Sequence, residues 1–262
     1  MKTDLVLNPI DVSAPMIVEA AQIAEAVGFE AVWTYDHISA VAFRGRTVLD
    51  SWTVLAGIAA STTRIGVGPL VVNAVARHPA HVAVATAALQ DLSGGRVMLG
   101  LGAGAGPESP YSRELSMVGL PVYDAATRRG MVADMVTFLR ALWAGDEHFD
   151  AIAVPDPIPP IVIAANGAKM AALAGQIADW VNFHDWQPVV ADLIDAACAA
   201  ARSANNERFE VTIEAAFDDE WLRLDGARRI DAEERGVTRI MVRWSADLGL
   251  GAIERAGKLL SG

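Results

Sequence analysis

Short apolar runs alternate along the chain with longer segments whose apolar residues recur every three or four positions, and turn residues stand between them. The short runs predict strands at Asp4–Ile10, Glu30–Tyr35, Arg64–Val72, Arg96–Gly100, Pro160–Ala165, Asp179–Phe183, Phe209–Ala216 and Thr238–Trp244. The longer segments predict helices at Ala14–Val27, Ser51–Ala60, Pro79–Leu92, Ala125–Trp143, Lys169–Ile177, Pro188–Ala204, Asp219–Arg235 and Ala252–Leu260. The first helix carries its own punctuation: Ser13 as N-cap, Pro15 in the first turn and Gly28 past the end. An α/β chain of 262 residues with this many strand–helix pairs and no linker-like segment predicts one domain over 1–262, a (β/α)8 TIM barrel. An open, doubly wound sheet gives a similar alternation and is the competing architecture.

Two strand-to-helix connections are long, Asp36–Leu49 and Gly104–Asp124. In a barrel they lie on the C-terminal rim, where loops carry function. The Pro-rich stretch HFDAIAVPDPIPP lies on the helix-to-strand side and reads as a structural connection.

Composition narrows the function classes. Hydrophobic residues make up 53% of the chain, but no run of about 18 uncharged apolar residues occurs, so no membrane partner is expected. The N-terminal segment MKTDLVLNPID goes straight into a strand pattern and does not look like a signal peptide. A single cysteine, Cys198, excludes a disulfide framework, points to a reducing, cytoplasmic setting and reads as a small helix residue. A net charge of −11 argues against nucleic acid as a partner, while leaving room for a local basic pocket.

The candidate chemistry sits at strand ends. Asp36 and His37 close the second strand in TYDHI, where a histidine exchanges protons near neutrality and a carboxylate can orient it. The alternative is a capping Asp and a solvated His. In RIGVGPLVV, Gly66, Gly68 and Pro69 predict an irregular strand with a close backbone approach. His78, before Pro79, reads as a turn or cap residue. Gly102, Gly104 and Gly106 leave the fourth strand with bare backbone. Their GxGxG pattern is not a Rossmann fingerprint, because the next helix opens only at Ala125. After the fifth strand, Ala165-Asn166-Gly167-Ala168-Lys169 opens a helix, and helix N-termini beside glycine bind phosphate. Asn182, His184, Asp185 and Trp186 gather at the next strand end. His37, His184 and an acid could hold a metal in principle, but no local ligand motif supports one and none is expected.

Taken in order, AEAVGFEAVW, DHI, RIGVGPLVV, RHPA, LSGGRVMLGLGAG and PPIVIAANGAKMAALAGQIADW resemble the luciferase-like superfamily, particularly its coenzyme F420 branch, across nearly the whole chain. The resemblance implies a cofactor ring in the barrel mouth against a bulge in the third strand. In relatives that bulge often holds a non-prolyl cis peptide, which spacing places near Pro69–Leu70. It implies a phosphate near Ala103–Gly104 and Asn166–Lys169, Asp36–His37 beside the reactive carbon, and a substrate contacting His184 and Trp186. On this reading His37 donates or accepts a proton and is held by Asp36. The DHI motif favours F420 over FMN, and an FMN-dependent monooxygenase would need a separate flavin reductase. A non-catalytic flavin-binding paralogue is the third reading, and a mouth filled by the loop Gly104–Asp124 would mark it. The family implies a small-molecule substrate and a homodimer through barrel helices. Sugar-phosphate dehydrogenases of this branch carry an acid where this chain has Ala105 and a lysine where it has Gln187, so a phosphorylated sugar is not the expected substrate.

Overall fold

In a parallel strand, alternate residues face opposite sides, so each strand here serves two cores at once. The computed structural model describes residues 1–146 and 148–260; of the 1–262 span, residues 147, 261 and 262 lie outside the described residues. The chain runs β1 (Lys2–Leu7), α1 (Ala14–Val27), β2 (Ala31–Thr34), α2 (Ser51–Ser61), β3 (Gly66–Pro69), β4 (Val72–Asn73), α3 (Pro79–Ser93) and β5 (Leu99–Gly102). It continues with α4 (Arg113–Met117), α5 (Ala125–Trp143), β6 (Ile161–Ala164), α6 (Ala168–Ile177), β7 (Trp180–His184) and α7 (Val190–Ser203). It ends with β8 (Glu210–Ala216), α8 (Asp219–Leu222), α9 (Ala227–Glu234), β9 (Val237–Trp244) and α10 (Leu250–Leu260).

The strands form one parallel sheet in the order β3-β2-β1-β9-β8-β7-β6-β5-β4. The sheet closes where Val67 N donates to Arg96 O and Met98 N donates to Val67 O, both at 3.0 Å. β3 and β4 are the two halves of one broken barrel position, so the nine strands fill eight places and the fold is a (β/α)8 barrel. Val6, Ala31, Trp33, Leu70, Met98, Val162 and Met241 pack together inside. Leu5, Leu7, Val32 and Val67 belong to the larger core with the helices. The interior also holds a buried ion pair: Asp4 accepts from Trp33 Nε1 at 2.8 Å and from Arg239 Nη1 at 2.5 Å.

The predicted caps are present. Ser13 Oγ accepts from Met16 N at 3.4 Å, Gly28 takes φ +97°, and His78 Nδ1 caps α3 by accepting from Ala80 N at 3.2 Å. Most boundaries shift by one or two residues, and four departures have a physical reason. β1 ends at Leu7, short of Pro9, which has no N–H for the ladder. The fourth predicted strand begins at Leu99, not Arg96, because Val97 makes only an isolated bridge to Val67. The helix expected over Asp219–Arg235 breaks into α8 and α9 at Gly226, whose missing Cβ leaves room for Glu220 O. The third predicted strand splits, and its cis peptide lies at Leu70–Val71, one residue beyond the expected place, because Leu70 N still donates to Thr34 O at 2.8 Å. The glycines beside this break do permit close approach, but of the barrel to itself: a Cβ on Gly68 would meet Met98 O and the Trp33 ring, and one on Gly100 would meet Pro69 O.

Candidate active site

Closure of the barrel brings the C-terminal strand ends to a common hollow of about 930 Å³. Asp36, Leu70, Gly104 and Gly167, from four different strand ends, all line it. So do His37, Ala103, Asn166, Ala168, Lys169, His184 and Trp186. Two expected residues do not. Pro69 is buried in the ladder with Thr34. Ala165 is 1% exposed, and its N–H donates to Asn182 O at 2.9 Å. The loop Gly104–Asp124 borders the hollow with Ser109, Tyr111 and Glu114 and leaves it open.

His37 is oriented from across the mouth. Its Nδ1 lies 3.1 and 3.2 Å from the two oxygens of Glu114, on α4, and its ring meets Phe43 edge-on at 4.7 Å. Glu114 also accepts from Ile38 N at 3.0 Å and Ser39 N at 3.4 Å. Burial pushes the Glu114 carboxyl up, but the hydrogen bonds from His37 and these amides prevail and hold it below its ordinary value. Asp36 does not hold His37, which corrects the sequence reading. Both its oxygens are engaged by Arg77, at 2.7 and 2.6 Å. Arg77 reaches on to Asp50 at 3.0 Å, so this bidentate clamp ties the second strand end to the N-cap of α2.

The β5–β6 side of the hollow is a cationic cradle. Gly104 takes φ +60°, and a Cβ there would stand 2.6 Å from the Asn73 amide, so only glycine fits. Arg128 Nη1 donates to the Gly104 and Ala103 carbonyls, and Arg129 and Lys169 line the same side. A Cβ on Gly167 would meet nothing within 4 Å, and the first turn of α6 opens there. Unpaired N–H groups, a bare backbone and nearby cations suit a phosphate.

The β7–β9 side is different. Strand alternation turns His184, Glu214 and Arg243 inward. Tyr35 OH donates to Glu214 Oε1 at 2.6 Å, and Arg243 Nη1 lies 3.5 Å from the same oxygen. Burial first, then the Glu214 charge, pushes the Tyr35 hydroxyl well above its usual range and keeps it protonated. His184 stacks on the rim residue Trp186 at 5.2 Å and 20°. Gln187 is tied down: its Oε1 accepts from His184 N at 3.0 Å and its Nε2 donates to Asn166 at 3.1 Å. Sequence reasoning missed Tyr35, Glu114, Glu214 and Arg243. The available signal was a charge inside the apolar strands VTIEAA and IMVRW, since a buried charge must find a partner.

Cys198 lies on α7, outside the residues that line the hollow, and burial raises its thiol. Among the described residues no three His, Cys, Asp or Glu side chains gather as metal ligands, and no helix is long and apolar enough to cross a membrane.

Residues 8–217 match the profile of the family described as luciferase-like monooxygenase. The chain belongs to this family. Among its luciferase-like relatives, an F420-dependent hydroxymycolic acid dehydrogenase of Mycobacterium tuberculosis is 32% identical over 203 residues, 72% of this chain and 52% of that protein. A 5,10-methylenetetrahydromethanopterin reductase of Methanolobus tindarius is 31% identical over 213 residues, 76% of this chain and 59% of that protein. The chain thus spans little more than half the length of these relatives. In fold it is similar to an F420-dependent secondary alcohol dehydrogenase solved with an F420-acetone adduct. That likeness has a TM-score of 0.80 at 18% identity and covers 100% of this chain and 99% of that one.

Proposed function

We propose that this luciferase-like barrel is an oxidoreductase that transfers a hydride between coenzyme F420 and a small organic substrate. The observation that carries the reading is the pairing of a cationic phosphate cradle with a carboxylate-held histidine in one hollow. The 32% identity to an F420-dependent hydroxymycolic acid dehydrogenase supports it. A volume of about 930 Å³ is in the range of cofactor pockets. Gly104, Gly167, Lys169, Arg128 and Arg129 would hold the phosphate end, and Leu70 and Val71 would flank the ring. F420, when bound, supplies a hydride acceptor or donor at its C5 carbon.

The chain's own residues supply the acid–base part. With Nδ1 committed to Glu114, His37 has Nε2 left to take a proton from a substrate hydroxyl, or to return it in the opposite direction. Glu114 fixes the ring and compensates the imidazolium charge when it forms, so it is a positioning residue. Arg77 occupies both oxygens of Asp36 and so holds the strand end that carries His37. The aromatic side chains of Phe43 and Tyr111 pack around His37 and limit access of water.

The test is separate titration of the purified protein with F420 and with FMN by calorimetry. F420 binding the tighter of the two is the expected result, together with loss of F420-linked turnover in His37→Ala. Tighter FMN binding, or His37→Ala turnover equal to the parent, overturns the reading. We also infer one barrel domain over 1–262 in the cytoplasm, dimerising through its helices, where Val84 and Leu92 of α3 are exposed. Light scattering showing a monomer would refute the dimer.

A further inference from the structure

The two sides of the hollow carry opposite electrical character. Arg128, Arg129 and Lys169 make the β5–β6 side cationic. On the β7–β9 side the lining carboxylate Glu214 shares a single guanidinium, that of Arg243, with Asp185, which stands outside the lining residues. Both terminal nitrogens of Arg243 are turned to those acids, Nη1 to Glu214 at 3.5 Å and Nη2 to Asp185 at 3.7 Å. The Arg243 guanidinium is therefore committed to these two acids.

Glu214 is 3% exposed, and its two oxygens are not equivalent. Oε1 takes the Tyr35 hydroxyl and faces Arg243. Oε2 receives no hydrogen bond; the atom facing it, His184 Nδ1 at 3.5 Å, is itself without one. Glu214 lines the hollow, so an Oε2 that takes no hydrogen bond from the protein is an acceptor open to a ligand there. The Gln187 amide is spent on Asn166 and the Tyr35 proton on Oε1, which leaves His184 Nδ1, beyond ordinary hydrogen-bond length, as the protein group that faces Oε2.

We propose that this side is a substrate subsite for a neutral or cationic head that donates a hydrogen bond, a hydroxyl or an ammonium, and that Glu214 excludes phosphate and carboxylate heads. The subsite rests on the oxidoreductase reading and adds to it the class of substrate. The head docks by donating to Glu214 Oε2, with the Trp186–His184 stack as the apolar wall at the rim. An anionic head meets the Glu214 carboxylate, whose guanidinium partner is shared with Asp185, and repulsion in a low-dielectric pocket is strong.

Three probes of matched shape test this: cyclohexanol, cyclohexylammonium and cyclohexanecarboxylate. Each is titrated into ¹⁵N-labelled protein without cofactor while the Trp186 indole N–H signal is followed, assigned with Trp186→Phe. The alcohol and the ammonium are expected to bind at least tenfold more tightly than the carboxylate, and Glu214→Gln, which keeps the side-chain volume, is expected to narrow that gap at least threefold. Asp185→Asn gives the same comparison where the first variant does not fold. A carboxylate that binds as tightly as the ammonium, a gap unchanged in the folded variant, or a Trp186 signal that no probe moves overturns the proposal. F420 is titrated in parallel through the Gly167 amide. If F420 leaves that amide unmoved while the probe ranking holds, the cofactor assignment fails alone; if F420 moves it and the ranking inverts, the subsite fails alone.

Discussion

Glu114→Gln is the sharpest perturbation of the mouth, because it keeps the side-chain shape and changes only what the side chain accepts. The carboxylate receives His37 Nδ1 at 3.1 Å, Ile38 N at 3.0 Å and Ser39 N at 3.4 Å, and it is only 7% exposed. A glutamine offers one acceptor oxygen, and its amide nitrogen then points at a donor. One strong bond to a charged group is lost and one donor is left unmatched, which costs about 2–3 kcal/mol. For a barrel of this size that is a fall in Tm of roughly 5–10 °C. The pH dependence has a definite sign. Glu114 is held below its ordinary 4.5, so its stabilisation is complete above that value and is lost as pH falls through the lower folded value. The gap between parent and variant should therefore close in acid. Calorimetric melts across pH, with ¹⁵N imidazole spectra of His37, check this. The parent should show the proton on Nδ1, and the variant a mixture of tautomers. Equal melting temperatures and an unchanged His37 spectrum would refute the positioning role.

Three further outcomes follow from packing. Gly104→Ala puts a Cβ 2.6 Å from the Asn73 amide at a backbone φ of +60°; F420 affinity measured by calorimetry should fall at least tenfold, and parental affinity would remove the cradle. Asp4→Asn leaves the Arg239 guanidinium, 5% exposed, without its counter-charge; urea unfolding should show a loss of about 3–5 kcal/mol, largely restored by adding Arg239→Met. Gly175→Ala drives a Cβ into Ala197 O where α6 packs on α7; it should cost about 1–3 kcal/mol in the same assay while cofactor affinity in the folded fraction stays unchanged.

Most of the architecture was legible because it is written in local terms. Strand and helix periods, the Ser13 cap, the Gly28 stop and the long loops all depend on residues a few positions apart. The same locality made the proposed phosphate cradle visible in the sequence, since a strand end, a glycine and a helix start are consecutive at Ala164–Lys169. What hold the reactive groups are partners distant in the chain. Glu114 stands 77 residues from His37, and Glu214 stands 179 from Tyr35. The expectation that Asp36 held His37 came from their adjacency, yet neighbouring residues at a strand end turn apart, and the Asp36 carboxylate was claimed by Arg77. Sequence by itself determined which strand ends and loops form the rim, and placed Asp36, His37, Leu70, Gly104, Lys169 and His184 there. Only closure of the barrel, through the registers of β7 with β8 and β8 with β9, decided which of them meet, because those pairings are set by packing over the whole sheet and leave no trace in the local pattern.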